Sequence, residues 1–493
     1  MLSLKLKTHE IDIKNSALNF ISIGIFNQRF HVTLKNNYIH MKLRYNYFLL
    51  IALIPLLLLG CEEYLDVKPD KALVVPSELK DFQALLDNDW QMMNQDVALT
   101  FMGADNYYIP GEAWPSLNTS TERNSYIWAE EIYEGRAVAD WNIPYEQVFI
   151  ANVVLDGLES LEVKGSESVE RDQIQGSALF FRAYAFFNLL QVFAPPYDPA
   201  TAEEKLGIPL RLEVDMKAPV YRSALQVCYD EVVNSLREAS GLLTNQTAHK
   251  TRPNKAAAYG LLARVYLSMH DYGQAERYAD SCLNLGSALM DYNMLDTTAE
   301  NPFPQYNEEV IFHSVLLSYS VIRMAYVDQG LYAFYVPGDL RKQLFFEAEE
   351  ETGNIIFSGS YTTQSQSFSG IATDEIYLIR AECRARLGDT EGAMDDLNTL
   401  LESRWETGSF LPLTAANSEA ALEIILRERR KELLFRGLRW MDLRRLNQDP
   451  RFAKTLERTL NGETFTLPPN DPRYVYPIPE QEIDVSGIEQ NPR

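Results

Sequence analysis

The clearest pattern along the chain is a helical one that recurs. In residues 256–285, Tyr259, Leu262, Ala263 and Tyr266 share one helical face. Ala275, Ala279, Cys282 and Leu283 line a second face, with Tyr272 in the turn between. Apolar residues three and four apart lie on one side of an α-helix. Small residues at Ala263 and Ala275 let two antiparallel helices approach closely while the aromatics fill the space around them, which is the tetratricopeptide pattern. Residues 374–401 repeat it, with Tyr377, Arg380-Ala381, a Gly388-Asp389 turn, then Ala393, Leu397 and Leu400. Residues 171–192 supply a third first helix, with Arg182-Ala183-Tyr184 and Phe186; Ala194-Pro195-Pro196-Tyr197 and a loop delay its partner to about Ser223–Leu243. A fourth helical region is expected from about Ser418 to Leu446.

The small-residue anchors Ala183, Ala263 and Ala381 stand 80 and 118 residues apart, whereas a contiguous array repeats at about 34. The expected fold is therefore mostly α: an interrupted, tetratricopeptide-like framework of helical pairs, an α-α superhelix, carrying long loop and short-strand insertions. Unrelated amphipathic helices would be the plainer reading, but two units match at many positions. Residues 87–145 are rich in Asn, Asp, Trp and Tyr, including Trp90, Tyr107, Tyr108, Trp114, Tyr126, Trp128 and Trp141. Residues 300–370 hold Tyr306, Tyr319, Tyr326, Tyr332 and Tyr335 and end in the polar stretch Ser358 to Gly370. Alternation over Val310–Val315 predicts a few small strands. Residues 461–493 are Pro-rich and read as extended. Function tends to sit in such insertions on a rigid frame.

The N-terminal stretch has a different character. Met41-Lys42-Leu43-Arg44 is basic, Phe48 to Leu59 is an uncharged and almost wholly aliphatic run, and Gly60-Cys61 follows. A membrane-spanning helix needs about 20 apolar residues, so this run reads instead as a secretory signal over residues 41–60. The ending resembles a bacterial lipobox, which implies that the Cys61 thiol is acylated, by chains such as palmitate, and becomes the new N-terminus; Leu59 departs slightly, because a small residue is commoner there. Glu62-Glu63 is similar to the acidic export signal of surface lipoproteins in some Gram-negative groups. Residues 1–40 are expected to be an over-called upstream extension, with Met41 the better start, and residues 61–493 one domain.

Composition narrows the function. The 493 residues are 46% hydrophobic and 23% charged, which fits a chain with a real core. Lys+Arg number 45 against 69 Asp+Glu, a formal charge of −24. Such acidity argues against a basic nucleic-acid surface. It also argues against attachment to an anionic envelope by charge; two or more acyl chains bind firmly where one is marginal. Four cysteines exclude a disulfide-stapled scaffold. Cys228, Cys282 and Cys383 fall among apolar neighbours and read as buried free thiols. There is no Gly-x-Ser-x-Gly elbow, phosphate loop, His-Glu-x-x-His or Cys-x-x-Cys pair, and no Asp-x-Asp-x-Asp-Gly calcium loop. No cofactor or metal is expected.

What remains is recognition. Sugars need flat apolar surfaces under their C–H faces and amides, carboxylates or guanidinia for their hydroxyls, since a hydroxyl left unpaired loses affinity. Tyr and Trp combine an apolar body with a polar tip. Asn106, Tyr107, Tyr108, Trp114, Asn118 and Arg123 have that makeup, Trp128 lies further along the same insertion, and Tyr335 is a candidate in the second. The alternative for each ring is packing of the insertion against the helices.

Several stretches together resemble the SusD/RagB family of surface nutrient-binding lipoproteins. They are Cys61-Glu62-Glu63-Tyr64-Leu65-Asp66-Val67-Lys68-Pro69; Gly176 to Tyr184, followed by Phe193-Ala194-Pro195-Pro196-Tyr197; Arg427 to Arg445; and Tyr476-Pro477-Ile478-Pro479 with Glu482-Ile483 and Gln490-Asn491-Pro492. Arg493 stands where the family usually ends in Gly-Tyr. The resemblance implies a non-catalytic, lipid-anchored protein of the outer membrane, facing the cell exterior. It would capture a glycan, or sometimes a peptide, for a SusC-like TonB-dependent transporter. A helical surface glycoside hydrolase is the competing reading, because two carboxylates at suitable separation suffice for that chemistry. Within Arg427–Arg445, Arg429, Glu432, Arg436 and Arg439 are expected at helical spacings, where Arg and Glu three apart can pair.

If Cys61 is the anchor, Cys61→Ala leaves the protein soluble or mis-sorted in membrane fractionation. A variant still membrane-bound and open to external protease would exclude the anchor.

Overall fold

The structure, a computed structural model, describes residues 76–88, 92–363 and 366–493. The expectations for the upstream extension, the signal segment and Cys61, and for Trp90, lie outside the described residues. The described helices of eight or more residues are α1 (Leu79–Leu86), α2 (Ala139–Ser160), α3 (Ser168–Phe193), α4 (Leu225–Leu242), α5 (Lys255–Ser268), α6 (Tyr272–Leu283), α7 (Thr373–Leu387), α8 (Thr390–Glu402), α9 (Ser418–Glu432) and α10 (Leu438–Leu446). None of the described helices is long and apolar enough to cross a membrane.

The helices pack as the periodicity predicts: α3 on α4, α5 on α6 and α7 on α8, with α4 against α5 and α6 against α7. Side-chain caps set their starts. Asn254 Oδ1 accepts from Ala257 N–H at the head of α5 (2.8 Å), Asp271 from Gln274 N–H at α6 (3.1 Å), and Asp389 from Gly392 N–H at α8 (2.9 Å). The α7–α8 turn works because Gly388 takes φ 95°, a left-handed conformation that closes a helix without a Cβ clash. Ala263, Ala275, Ala279 and Cys282 are fully buried between α5 and α6. α7 serves two cores. Ile376, Ile379 and Cys383 join the large core of α1–α6 and the insertions, and Leu378, Ala381 and Ala385 join a smaller one with α8, α9 and α10.

Three expectations need correction. The helical region Ser418–Leu446 is a pair of helices, but Arg429, Glu432, Arg436 and Arg439 do not keep one helical spacing through it. Phe435 at φ 62° and Gly437 at φ 75° break it, so Arg436 lies in a turn. Arg429 and Glu432 do not pair with each other: Arg429 binds Asp442 at 2.9 Å, Glu432 binds Arg341 and Arg404, Arg436 binds Asp374 at 2.7 Å and Arg439 binds Asp105 at 2.7 Å. Residues 461–493 are not uniformly extended. Asn461 and Gly462, both at positive φ, turn a hairpin, and a short helix runs from Glu480 to Ser486. Finally, α2 begins inside the stretch read as an insertion and carries Pro144 buried within it.

Strands are short and occur in pairs: β1 (Gln95–Asp96) with β6 (Val315–Leu316), parallel, and β2 (Tyr107–Tyr108) with β7 (Tyr326–Val327), antiparallel. Likewise β3 (Leu206–Pro209) pairs with β4 (Arg222–Ala224), β5 (Val310–Phe312) with β10 (Ile371–Ala372), β8 (Phe346–Ala348) with β9 (Ile355–Phe357), and β11 (Leu456–Leu460) with β12 (Glu463–Leu467). The two insertions are thus stitched to each other by β1–β6 and β2–β7. The C-terminal segment returns to α3, whose last carbonyls lack helical partners. Tyr476 N–H donates to Val192 O (2.9 Å), the Asn491 amide to Phe193 O (2.8 Å), and Arg444 to Gln191 O and Ala194 O.

A buried ionic network ties the second insertion to α9. Arg341, fully buried, binds Asp339 and Glu428 at 2.8 Å and Glu432 at 2.9 Å; Arg404 binds Glu309 at 2.9 Å and Glu432 at 2.7 Å; Lys431 binds Asp339 at 2.9 Å. Removing one partner of such a group leaves a charge unpaired in the interior. Burial pushes the Asp339 carboxyl up, but Arg341 and Lys431 outweigh it and hold it at about 2, below the ordinary 3.8. The folded state therefore binds fewer protons at this site than the unfolded chain does.

The Asp339 contribution, about 2 kcal/mol, is complete above the unfolded pKa and is lost as pH falls from about 4 to about 2. Acid-unfolding curves should show this leg in the native chain and lack it in Asp339→Asn. Parallel curves for the two would refute the assignment.

Candidate ligand-binding site

The β2–β7 ladder sets the geometry. Adjacent residues of a strand point to opposite faces, so Tyr107 and Tyr108 part company. Tyr107 turns inward, stacks on Phe101 with centroids 4.7 Å apart, and donates from its hydroxyl to Met102 O at 2.8 Å. Burial pushes its phenol upward, with Arg458 opposing. Tyr108 stays half-buried opposite its register partner Tyr326, the two rings 5.7 Å apart and inclined at 37°. The Tyr108 hydroxyl donates to Asn354 Oδ1 at 2.8 Å, and the Tyr326 hydroxyl to the Glu349 carboxylate at 2.9 Å, which raises the Tyr326 phenol pKa. Each ring is thus fixed from its polar end.

Beside this pair lies a cleft of about 310 Å³, lined among others by Tyr108, Tyr126, Asp328, Lys454, Glu457 and Thr459. Its base is rigid. Arg458, from β11, lies under the rings of Tyr126 (3.9 Å), Trp128 (4.7 Å) and Tyr107 (4.9 Å) and donates to the carbonyls of Met102, Ala104 and Tyr126. Cation–π contact and carbonyl acceptors together satisfy a guanidinium that pairs with no carboxylate among the described residues. Asp105 closes the other end. Burial disfavours its charge, yet Arg439, Arg430 and Lys454 together hold it well below the usual carboxylate range. Lys454 reaches it at 2.8 Å.

Of the candidates named from the sequence, four are packing groups, because their rings and amides are used up inside. Asn106 is buried, its Oδ1 accepting from Arg430 at 2.9 Å. Tyr107 has been described. Trp128, 2% exposed, donates its indole N–H to Gly103 O at 3.0 Å. Tyr335, 1% exposed, sits against Phe346 and Lys431 and donates to Lys431 O at 2.8 Å. Tyr107 and Trp128 still reach the cleft wall. The other four lie nearer the surface. Trp114 is half-buried and donates to Arg123 O at 3.1 Å; Arg123 donates to Leu117 O at 2.6 Å, closing that loop. Asn118 is exposed, with its backbone N–H on Ser320 Oγ at 3.0 Å. Only Tyr107, Tyr108 and Trp128 of the eight line the cleft.

Sequence reasoning missed Asp328 and the 454–459 wall of the cleft, and Tyr326, Glu349 and Asn354, which make up or hold the tyrosine pair beside it. Tyr326-Val327 stood among the insertion aromatics, but a two-residue ladder leaves no periodic trace. What the assembled site offers is two oriented tyrosine faces beside an amide, carboxylates, an ammonium and a hydroxyl. That combination suits a neutral polyol with apolar C–H faces.

Residues 63–267 match the family described as starch-binding and associating with the outer membrane, and residues 358–493 match the SusD family; together these exceed half of the chain. A SusD-like protein, P38 of Formosa agariphila, is 22% identical over 461 residues, spanning 79% of this chain and 85% of that one. Among solved structures, a SusD superfamily protein of Bacteroides thetaiotaomicron superposes with a TM-score of 0.68 at 24% identity, over 84% of this chain and all of the other. A laminarin-binding SusD-like protein gives 0.62 at 18% identity, over 84% of this chain and 99% of the other. These likenesses carry the fold.

Trp128→Ala should act on stability, removing about 3–5 kcal/mol in denaturant unfolding, because it empties the space above Arg458. A variant as stable as the native chain would show that Trp128 is not a packing residue.

Proposed function

We propose, for a chain that belongs to the SusD family, that the protein captures glycans in the cleft beside the Tyr108–Tyr326 pair and releases them unaltered to a transporter. Acyl chains on Cys61 hold it on the outer membrane, facing the exterior, and a SusC-like TonB-dependent channel is its partner. The observation that carries the reading is the tyrosine pair itself. Its two rings come from insertions 218 residues apart in sequence, and hydroxyl bonds to Asn354 and Glu349 set their tilt before any ligand arrives. Preorganised rings spare a ligand the cost of ordering them. Asp328, Lys454, Glu457 and Thr459, which line the cleft, are the polar groups that would re-pair sugar hydroxyls beside that platform. A laminarin-binding SusD-like protein shares the fold, so a laminarin-type glucan is one oligosaccharide to include in the test.

Calorimetric titration of the protein with a panel of oligosaccharides tests the reading. At least one glycan should bind saturably, and Tyr108→Ala and Tyr326→Ala should each weaken it about three- to tenfold with the melting temperature nearly unchanged. Reducing ends that accumulate with time would replace binding with hydrolysis. Undiminished affinity in both variants would move the site elsewhere.

A further inference from the structure

A larger cavity, about 700 Å³, shares no residue with the tyrosine cleft. α2 lines one side, the segment following β3 a second, and the short helix Glu480–Ser486 a third. The groove is held open by internal bonds. Trp141 is braced edge-on against Phe193 at 4.9 Å and lies 4.8 Å from Tyr145, whose hydroxyl donates to Pro209 O at 2.9 Å. Arg211 arches its own segment by donating to Asp215 O (2.9 Å) and Ala218 O (3.1 Å), while Asn152 holds Arg211 O at 2.8 Å. Walls fixed in this way belong to a site formed in advance of its occupant.

The lining has two chemistries. Met216 is 77% exposed, Val485 88% and Phe149 39%, three exposed large apolar side chains drawn around one groove. Such grouping marks an interaction surface. Glu146, Glu213 and Glu482 also line it. The cations facing them are Lys217 and an Arg211 already spanned by two carbonyls. An anionic lipid surface is repelled by the three carboxylates, and a second copy seated symmetrically would set glutamates against glutamates.

We propose that this groove docks an extended segment of a partner protein in which apolar side chains alternate with lysine or arginine. Its apolar groups fill the space between Met216 and Val485 above Trp141 and Tyr145, and its cations meet Glu146, Glu213 and Glu482. The proposal does not depend on the glycan-binding reading, because the two cavities share no residue.

Fluorescence anisotropy on the full-length protein in detergent, with a labelled hexapeptide library of alternating Lys/Arg and Leu/Phe, tests it. Members should bind saturably and more weakly as salt rises. Met216→Glu should weaken them at least tenfold. Glu146→Lys combined with Glu482→Lys should do the same and accept the matching Glu/Leu library instead, with unchanged melting temperatures showing that both variants fold. The proposal fails if no member saturates, or if binding persists undiminished in both variants. It also fails if Met216→Glu instead abolishes dimerisation in sedimentation, or abolishes binding to phosphatidylglycerol vesicles.

Discussion

The rest of the architecture depends on the burial of charge between Glu428 and Arg445. Arg429, Lys431, Glu432, Arg436, Asp442, Arg444 and Arg445 all lie inside the protein. Ions removed from water need close, well-aligned partners, and few of these come from nearby in the chain. Asp339 and Arg341 arrive from the second insertion, Asp105 from the first, and Asp374 and Glu382 from α7, while Arg404 joins Glu432 to Glu309. One short segment thereby dictates where the long loops return. Nearly all its charges are matched across elements rather than along a helix, so it defines a unique arrangement of the insertions over the frame. Burial pushes the Glu309 carboxyl up, against the pull of Arg404 and with Asp374 and Glu432 adding to the rise.

The helical pairs were legible because they obey local rules. Ala263, Ala275 and Ala381 mark close approach, and Gly388-Asp389 combines a left-handed stop with a cap. Where the fold departs from local rules, the reading failed. Phe435 takes a conformation that bulky residues avoid, and nothing in its neighbours announces it. Pro144 disguises the start of α2. Asn461-Gly462 does carry a hairpin signal, but the prolines that follow dominate the segment. In the site, composition pointed to the first insertion, whose Tyr108 lines the cleft, without telling Tyr108 from Tyr107. A strand of two residues decides which ring faces out, and its partner Tyr326 comes from far along the chain. Trp128 and Tyr335 were indistinguishable from platform residues in sequence because indole and phenol suit a core whenever a carbonyl is in reach, as Gly103 O and Lys431 O are here.

The cleft is built on a base that cannot change much and a rim that can. Arg458 joins the C-terminal hairpin to the first insertion, and Asp105 joins that insertion to α9 and α10, so altering either loosens the base. Glu457 and Thr459 project from alternate, exposed positions of β11 at the mouth of the cleft. These outer groups can vary without touching the base. Divergence in what such a protein recognises is therefore expected at the rim, while the aromatic-capped arginine beneath it persists.

The three described thiols have a practical consequence. Cys228, Cys282 and Cys383 are buried and free, and burial pushes the first two up to about 11 and about 12 and the third upward as well. Thiolate, the reactive form, is scarce in all of them near neutral pH. A cysteine engineered onto the rim would then be the preferred target for maleimide dyes in a chain beginning after Cys61. Single-site fluorophores for following capture and release can be attached without first replacing any native sulfur.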